Sequence, residues 1–228
     1  MRHQFEQQLE TLHNNLIYMG ALCEDAIACA TKALLDGNAD LRERALSLEQ
    51  DINIMERDIE QLCVRLLLRQ QPVASDLRKI TAAQKMITDM ERIGDQAADI
   101  AELSAFMVDS PVKRDVHIAD MARATIKMLT DSIDSFVRLD YDQAWTVIRY
   151  DDVVDNLFTT VRGELIEVLT KDGNLGGECL DLLMIAKYFE RIGDHAENLA
   201  EWVLYAVTGD RRMEGEEGEA QNGLHSGG

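Results

Sequence analysis

The chain contains the pentapeptide Glu-Arg-Ile-Gly-Asp twice, at residues 91–95 and again, 99 residues later, at residues 190–194. A repeat at this spacing is typical of a structural unit that occurs twice in one chain. The segments that precede the two copies also align, at an offset of 102, and the matched pairs include Glu49 with Asp151 and Asn53 with Asp155. We therefore expect the second half of the chain to repeat the fold of the first.

Long amphipathic helices are the expected elements of this unit. Apolar residues recur at intervals of three and four, and the 228 residues include only two prolines, Pro72 and Pro111. Because proline and glycine are the strongest helix stops, helices here have few reasons to end. We predict six helices, at about residues 5–35, 40–69, 76–108, 114–138, 141–170 and 178–207.

These helices predict an all-α fold made of two tandem, internally repeated three-helix bundles. The links between helices are short, which favours antiparallel neighbours. We place the first bundle at residues 1–110 and the second at residues 111–208. Residues 209–228 hold 6 of the 14 glycines and almost no large apolar side chain, so we expect a disordered acidic tail.

The formal net charge is −19, from 23 basic and 42 acidic residues. Binding to nucleic acid requires a cationic surface, so no direct nucleic-acid partner is expected; cations and basic protein surfaces suit such a charge better. No apolar run reaches the length of a membrane span, and the first residues lack the apolar core of a signal peptide. We expect a cytoplasmic protein whose four cysteines are buried free thiols.

The carboxylates of the repeated motif share one side of their helices. At about 100° per residue, Glu91, Asp95 and Asp99 fall on one side of the third helix, opposite its apolar positions. Like charges four residues apart cost about 0.2–0.5 kcal/mol per pair, and a bound multivalent cation would remove that cost. The matching stripe of the sixth helix comprises Glu190, Asp194, Asn198 and Glu201.

Carboxylates from two adjacent helices can supply several oxygens to one hard cation, and duplication predicts two such sites. An acidic chain also has acidic helix faces, however, and duplication would copy a face without a function. Gly94 and Gly193 lie within helices, where glycine costs about 1 kcal/mol relative to alanine. That repeated cost indicates either close helix packing or room for a ligand. His195 is interpreted as a bundle residue rather than a ligand.

The motifs of common enzymes are missing. The sequence has no phosphate-binding glycine loop, no hydrolase nucleophile elbow and no His-Glu-x-x-His. A carboxylate-bridged di-iron oxidase needs Glu-x-x-His on two helices, and the one copy, at residues 10–13, has no counterpart in the second half. We assign no catalytic residue and expect no enzyme activity.

The segments Asp89–Asp99 and Tyr188–Asn198, which contain the doubled pentapeptide, resemble the paired signature of the PhoU proteins, bacterial regulators of phosphate uptake. The stretch Arg69–Arg78, with its proline, is similar to the start of that family's third helix. The similarity covers about residues 5–208. The chain is identified as a member of the PhoU family by this resemblance.

The resemblance implies two three-helix bundles and multinuclear metal clusters on their surfaces. The resemblance implies iron or zinc, and carboxylate ligands also suit manganese or magnesium. Asn53 and Asn198 stand where the other half has aspartate, so the two sites are expected to differ in affinity, or one to be empty. The ligands implied by the resemblance are Glu49, Glu91, Asp95 and Asp99 in the first bundle and Asp151, Asp155, Glu190 and Asp194 in the second.

The resemblance also implies a negative regulator of phosphate uptake and of the phosphate-starvation response. Such a protein is a soluble adaptor between the phosphate ABC transporter and a sensor histidine kinase, peripheral to the membrane through these partners, and commonly a homodimer. Three alternatives stay open: an accessory protein that acts on the transporter alone, a di-iron helical oxidase, and a structural bundle whose acidic stripe only keeps it in solution.

Overall fold

The computed structural model describes residues 2–70, 72–114 and 116–210. Six α-helices account for most of these residues, and no strand occurs in the described part of the chain. The prediction of an all-α fold is confirmed; residues 211–228 of the predicted tail lie outside the described residues. The helices are α1 (Arg2–Asp36), α2 (Ala39–Gln70), α3 (Ala74–Ser104), α4 (Ile118–Arg138), α5 (Tyr141–Lys171) and α6 (Gly176–Thr208).

The turns that begin α2 and α5 are built alike. Gly37 and Leu139 both take the left-handed conformation, with φ of 68° and 53°. The next residues, Asn38 and Asp140, each accept a hydrogen bond from the backbone N–H three residues ahead, at 3.1 and 3.0 Å. These side chains satisfy N–H groups that the helix itself leaves free. The 102-residue offset therefore relates equivalent caps in the two halves.

The link between the two bundles differs from the prediction. Helix α3 ends at Ser104 rather than near residue 108, and α4 begins at Ile118 rather than near residue 114. Two short 3₁₀ turns, Ala105–Met107 and Val112–Arg114, fill the gap around the Ser-Pro break. Lys113 is buried there and donates a hydrogen bond to the carbonyl oxygen of Val108 at 2.9 Å. Helix α3 begins slightly earlier than predicted, with Val73 at the N-cap position and no side-chain cap.

The two halves pack side by side and share one hydrophobic core. Helix α3 packs along α6, and α1 packs along α4. Asp89 of α3 contacts residue 195 of α6, whereas Asp99 lies near residue 191, so the two helices run antiparallel. The α2–α3 and α5–α6 hairpin ends therefore lie at opposite ends of the molecule. Fully buried core residues include Leu16, Ile52 and Ile93 of the first half and Leu129, Phe189 and Ile192 of the second.

Contacts between α1 and α4 tie the halves together. The His13 and Phe136 rings meet edge to face, 5.7 Å between centroids, and the Thr130 hydroxyl donates to Glu24 at 2.7 Å. Gly20 lies directly against Ile133. The four cysteines are free, and Cys29 alone among them is partly exposed. None of the described helices is both long enough and apolar enough to cross a bilayer.

We expect Gly20→Ala to lower the free energy of unfolding by about 1–2 kcal/mol. The added methyl would overlap Cδ1 of the buried Ile133 and lie 3.3 Å from its Cγ1, and overpacking costs more than the helix gains from alanine. Gly163→Ala in α5 is the control, because nothing lies within 4 Å of its new methyl. It should raise stability by about 0.5–1 kcal/mol. Urea unfolding measures the stability of both variants. If Gly20→Ala stabilised the protein as much as Gly163→Ala does, the close contact between α1 and α4 would be contradicted.

Candidate metal-binding surface

The glycine of each pentapeptide packs against the preceding helix of its bundle. A methyl on Gly94 would lie 3.0 Å from Cδ1 of Ile52, and one on Gly193 would lie 3.1 Å from Cγ1 of Val154. Ile52 and Val154 are equivalent at the 102-residue offset. Both glycines thus allow a close approach, of α2 to α3 and of α5 to α6. The carboxylates that flank each glycine are brought near those of the preceding helix.

The C-terminal acidic cluster lies between α5 and α6, with Asp151 at its centre. Oδ1 of Asp151 is buried without a hydrogen-bond partner and would lie 3.2 Å from a methyl on Gly193. Burial and the repulsion of neighbouring carboxylates together raise the pKa of Asp151 to about 7. The other four carboxylates of the cluster all repel the negative charge of Asp151. The cluster comprises Asp151, Asp155, Glu190, Asp194 and Glu197.

Asp194 of the C-terminal cluster experiences the same carboxylate repulsion, and Glu190 is partly neutralised by a basic side chain. Burial, followed by repulsion from Glu190, raises the pKa of Asp194. The ammonium group of Lys187 forms an ion pair with Glu190 and lies 5.6 Å from the centre of the Phe158 ring. This basic side chain therefore offsets part of the negative charge of the cluster.

The N-terminal acidic cluster lies between α2 and α3 and comprises Glu49, Glu56, Glu91 and Asp95. Burial is the main cause that raises the pKa of Glu91, and the other three carboxylates add to it. Arg92 opposes this shift: its Nε lies 3.4 Å from Glu91 and its Nη1 3.1 Å from Asp95. Glu49 accepts a hydrogen bond from the side chain of Asn53. The charge of this cluster is therefore partly satisfied within the chain.

The remaining predicted ligand, Asp99, lies toward the seam between α3 and α6. Burial, then Glu102 and Asp95, raise its pKa, and Arg191 of α6 lowers it, whereas Glu49 is not among the charges that act on it. Elsewhere along this contact between α3 and α6, Asp89 lies 3.0 Å from Nδ1 of His195 and accepts a hydrogen bond from Nδ2 of Asn198 at 3.4 Å. His195 is thus a bundle contact, as interpreted from the sequence.

The single acidic stripe expected along α6 is wrong at its end. Glu201 is 5% exposed, because α6 packs against α3, α4 and α5 and little of its circumference reaches solvent. Sequence analysis also left two cluster members out of the ligand set. Glu56 lies two turns beyond Glu49 on the same row of α2, a spacing that could have identified it. Glu197 corresponds to Ala98 in the first half, so comparison of the repeats hid it.

The donor chemistry of both clusters fits a hard, multivalent cation. Carboxylate oxygens are the ligands that such ions prefer, and a cation would relieve the unpartnered Oδ1 of Asp151 and the repulsion around it. Among the described residues, no three carboxylate, imidazole or thiol groups already converge as a metal-binding group. Side-chain rotation would therefore accompany binding.

A family model of the PhoU domain matches the chain twice, over residues 16–104 and 118–203. The two matches fall on the two halves of the repeat. Together they cover most of the described residues.

Relatives and solved structures agree with this match. The chain is 37% identical over 209 residues to a phosphate-specific transport system accessory protein PhoU homolog of Pseudomonas aeruginosa, covering 90% of this chain and 86% of the relative. It is 33% identical over 219 residues to the phosphate-specific transport system accessory protein PhoU of Escherichia coli K12, covering 94% and 90%.

Two crystal structures are similar to this fold. PhoU from Pseudomonas aeruginosa superposes with a TM-score of 0.85 at 36% identity, covering 90% of this chain and 99% of that one. The phosphate transport system regulatory protein PhoU from Streptococcus pneumoniae gives 0.82 at 25% identity, covering 91% and 99%.

Asp151→Asn should stabilise the metal-free protein at pH 8 by about 1–2 kcal/mol, a value reduced for the partial exposure of this carboxyl. Because the folded-state pKa of Asp151, about 7, lies above its ordinary 3.8, the folded state holds its proton more tightly. Stability therefore falls as pH rises from about 4 to 7, and the gain from Asp151→Asn should vanish near pH 4.

Urea unfolding in chelator across this pH range measures the effect. Asp152→Asn is the matched control, since Asp152 is the exposed neighbour on α5 and its replacement removes the same charge. If the gain in stability from Asp151→Asn were independent of pH, or equal to that of the control, the raised pKa of Asp151 in the folded state would be contradicted.

Proposed function

The chain belongs to the PhoU family, and on that premise we propose that it is an accessory regulator of phosphate transport which represses phosphate uptake and the phosphate-starvation response. The observation that carries this proposal is the double match of the PhoU domain to the two halves of the chain. The relatives from Pseudomonas aeruginosa and Escherichia coli K12, both named phosphate-specific transport system accessory proteins, support it.

In this proposal the protein is a cytoplasmic adaptor without catalytic activity, joining the phosphate ABC transporter to a sensor histidine kinase. An adaptor needs two surfaces, and the duplicated fold supports this requirement because its halves share a backbone but place their charged side chains differently, as at Ala98 and Glu197. The acidic clusters would favour basic faces on the partners, since complementary charge increases the rate and specificity of association. A homodimer is part of the proposal.

We propose that both acidic clusters hold multivalent cations such as iron, zinc, manganese or magnesium. Asp151, Asp155, Glu190 and Asp194 would hold the ion of the second bundle, with Glu197 beside them; Glu49, Glu91 and Asp95 would hold that of the first. A bound cation would supply positive charge that neutralises the carboxylates of two adjacent helices and links them. Asp99 is the weakest member of the proposed ligand set, since Arg191 already acts on it.

The C-terminal cluster is expected to bind cations more tightly than the N-terminal cluster. An amide is a weaker ligand for a hard cation than a carboxylate, and Asn53 stands where the second half has Asp155. Arg92 also pairs with both Glu91 and Asp95 and competes with a cation for them, whereas Lys187 pairs with Glu190 alone in the C-terminal cluster. These two differences act in the same direction.

Deletion of the gene should leave phosphatase expression and phosphate uptake high in phosphate-rich medium. The wild-type chain should restore repression, and Asp95→Asn/Asp194→Asn should restore it less, because each cluster then lacks one carboxylate. Asp51→Asn/Asp152→Asn removes the same charge from exposed positions on α2 and α5 and should restore repression fully. Phosphatase activity and labelled phosphate uptake are the measurements.

Two results would contradict the proposal at different points. Normal repression in the deletion strain would refute the regulatory role. Full repression by Asp95→Asn/Asp194→Asn, at wild-type protein level, would refute a role for the acidic clusters in repression. The proposed adaptor role would still stand. Co-purification with the transporter ATPase but not with the kinase would favour the accessory protein that acts on the transporter alone.

A further inference from the structure

Large apolar side chains are exposed at the end of the α2–α3 hairpin. Leu68 near the end of α2 is 80% exposed, and Val73 at the start of α3 is 65% exposed. Val64 and Leu77 lie one helical turn further from the link on either side and are 41% and 45% exposed. We call these four residues, together with the basic residues of the same segment described next, the basic tip. Exposed apolar residues concentrated in one place indicate an interaction site.

The segment of sequence that carries this tip is basic, although the whole chain carries a net charge of −19. Residues 61–85 contain five basic residues and a single acidic one. Arg65 is exposed about one turn before Leu68, and Lys79 is half-buried. Lys85 is also exposed but lies about 16 Å along α3 from Ala74. The side chain of Arg78 packs against Gly209 at the end of α6, so we do not count it as part of the tip. The basic tip therefore combines exposed aliphatic side chains with positive charge behind them.

The opposite end of the molecule has the apolar residues without the positive charge. Ile166, Leu169, Leu180 and Met184 are exposed around the α5–α6 link, with Leu180 at 62% and Ile166 at 58%. Residues 163–187, a segment of the same length, contain two basic and five acidic residues. The duplication thus presents similar apolar ends in opposite electrostatic surroundings.

We propose that the basic tip docks directly on an anionic lipid surface. Aliphatic side chains enter the boundary between headgroups and acyl chains, and Lys and Arg behind them are attracted to anionic headgroups. The tip is the convex end of a two-helix hairpin, which a bilayer accepts without a matching pocket, whereas a protein partner would need a complementary groove. The acidic remainder of the molecule is repelled by the same surface, so docking occurs with this end first.

This contact is additional to the membrane association through partners in the proposed function, and it requires no metal. We would measure flotation of the full-length chain with phosphatidylcholine vesicles, alone or with about one third phosphatidylglycerol, in chelator. The wild type should float with the anionic vesicles and not with the neutral ones. Raising salt from about 0.1 M to about 0.5 M should weaken binding by screening.

Three variants locate the contact. Arg65→Gln should weaken binding about fivefold, the effect of one basic residue near the surface. Leu68→Ser/Val73→Ser should weaken it by about tenfold or more through lost apolar burial. Ile166→Ser/Leu180→Ser makes a comparable change at the acidic end and should leave binding unchanged. All positions are exposed or solvent-facing, and thermal unfolding checks that each variant is folded.

Equal flotation with neutral vesicles, or equal loss in the Ile166→Ser/Leu180→Ser control, would overturn the proposal. So would a wild type that does not float. If, in that case, Leu68→Ser/Val73→Ser abolished co-purification with the transporter, the tip would be a protein-docking site instead. Because vesicle binding is measured without the transporter, the kinase or metal, its failure leaves the regulatory proposal standing.

Discussion

Two glycine contacts set the distance between the helices that carry the acidic clusters. Gly94 against Ile52 and Gly193 against Val154 let the second and third helix of each bundle approach more closely than alanine would allow without a shift of the facing side chain. The carboxylates three residues before and one residue after each glycine then meet those of the neighbouring helix. The raised pKa of Asp151 is a direct result, because its Oδ1 lies over the space that a methyl on Gly193 would fill. Negative charge is thus concentrated by backbone packing.

The antiparallel packing of α3 on α6 divides the carboxylates in and around the first pentapeptide between two helix contacts. Glu91 and Asp95 face α2 and belong to the N-terminal cluster, whereas Asp89 and Asp99 lie at the seam with α6. The same antiparallel arrangement sends the two hairpin ends to opposite ends of the molecule. One duplicated unit therefore produces two acidic clusters near the middle and two apolar ends that differ in charge.

The repeat and the turn residues made the fold predictable from the sequence. Asn38 and Asp140 cap equivalent helices because an Asx side chain at this position satisfies a free N–H whatever packs above it. The division of the acidic stripe was not predictable in the same way. A helical wheel has two faces, while α6 contacts three helices, so Glu201 is buried although its angular position matches that of Glu190. Glu197 was missed because the first half has alanine there, and the uncapped start of α3 at Val73 has no sequence signal.

The central claim is that the two close-packed helix pairs bind multivalent cations through their carboxylates, the second pair more tightly. Metal content by elemental mass spectrometry tests it most directly, on protein loaded with iron, manganese, zinc or magnesium and then desalted. We predict that the wild type retains metal and that Asp194→Asn removes more of it than Asp95→Asn does. Equally low metal in the wild type and both variants would contradict the claim and make the clusters solvated or protein-binding surfaces.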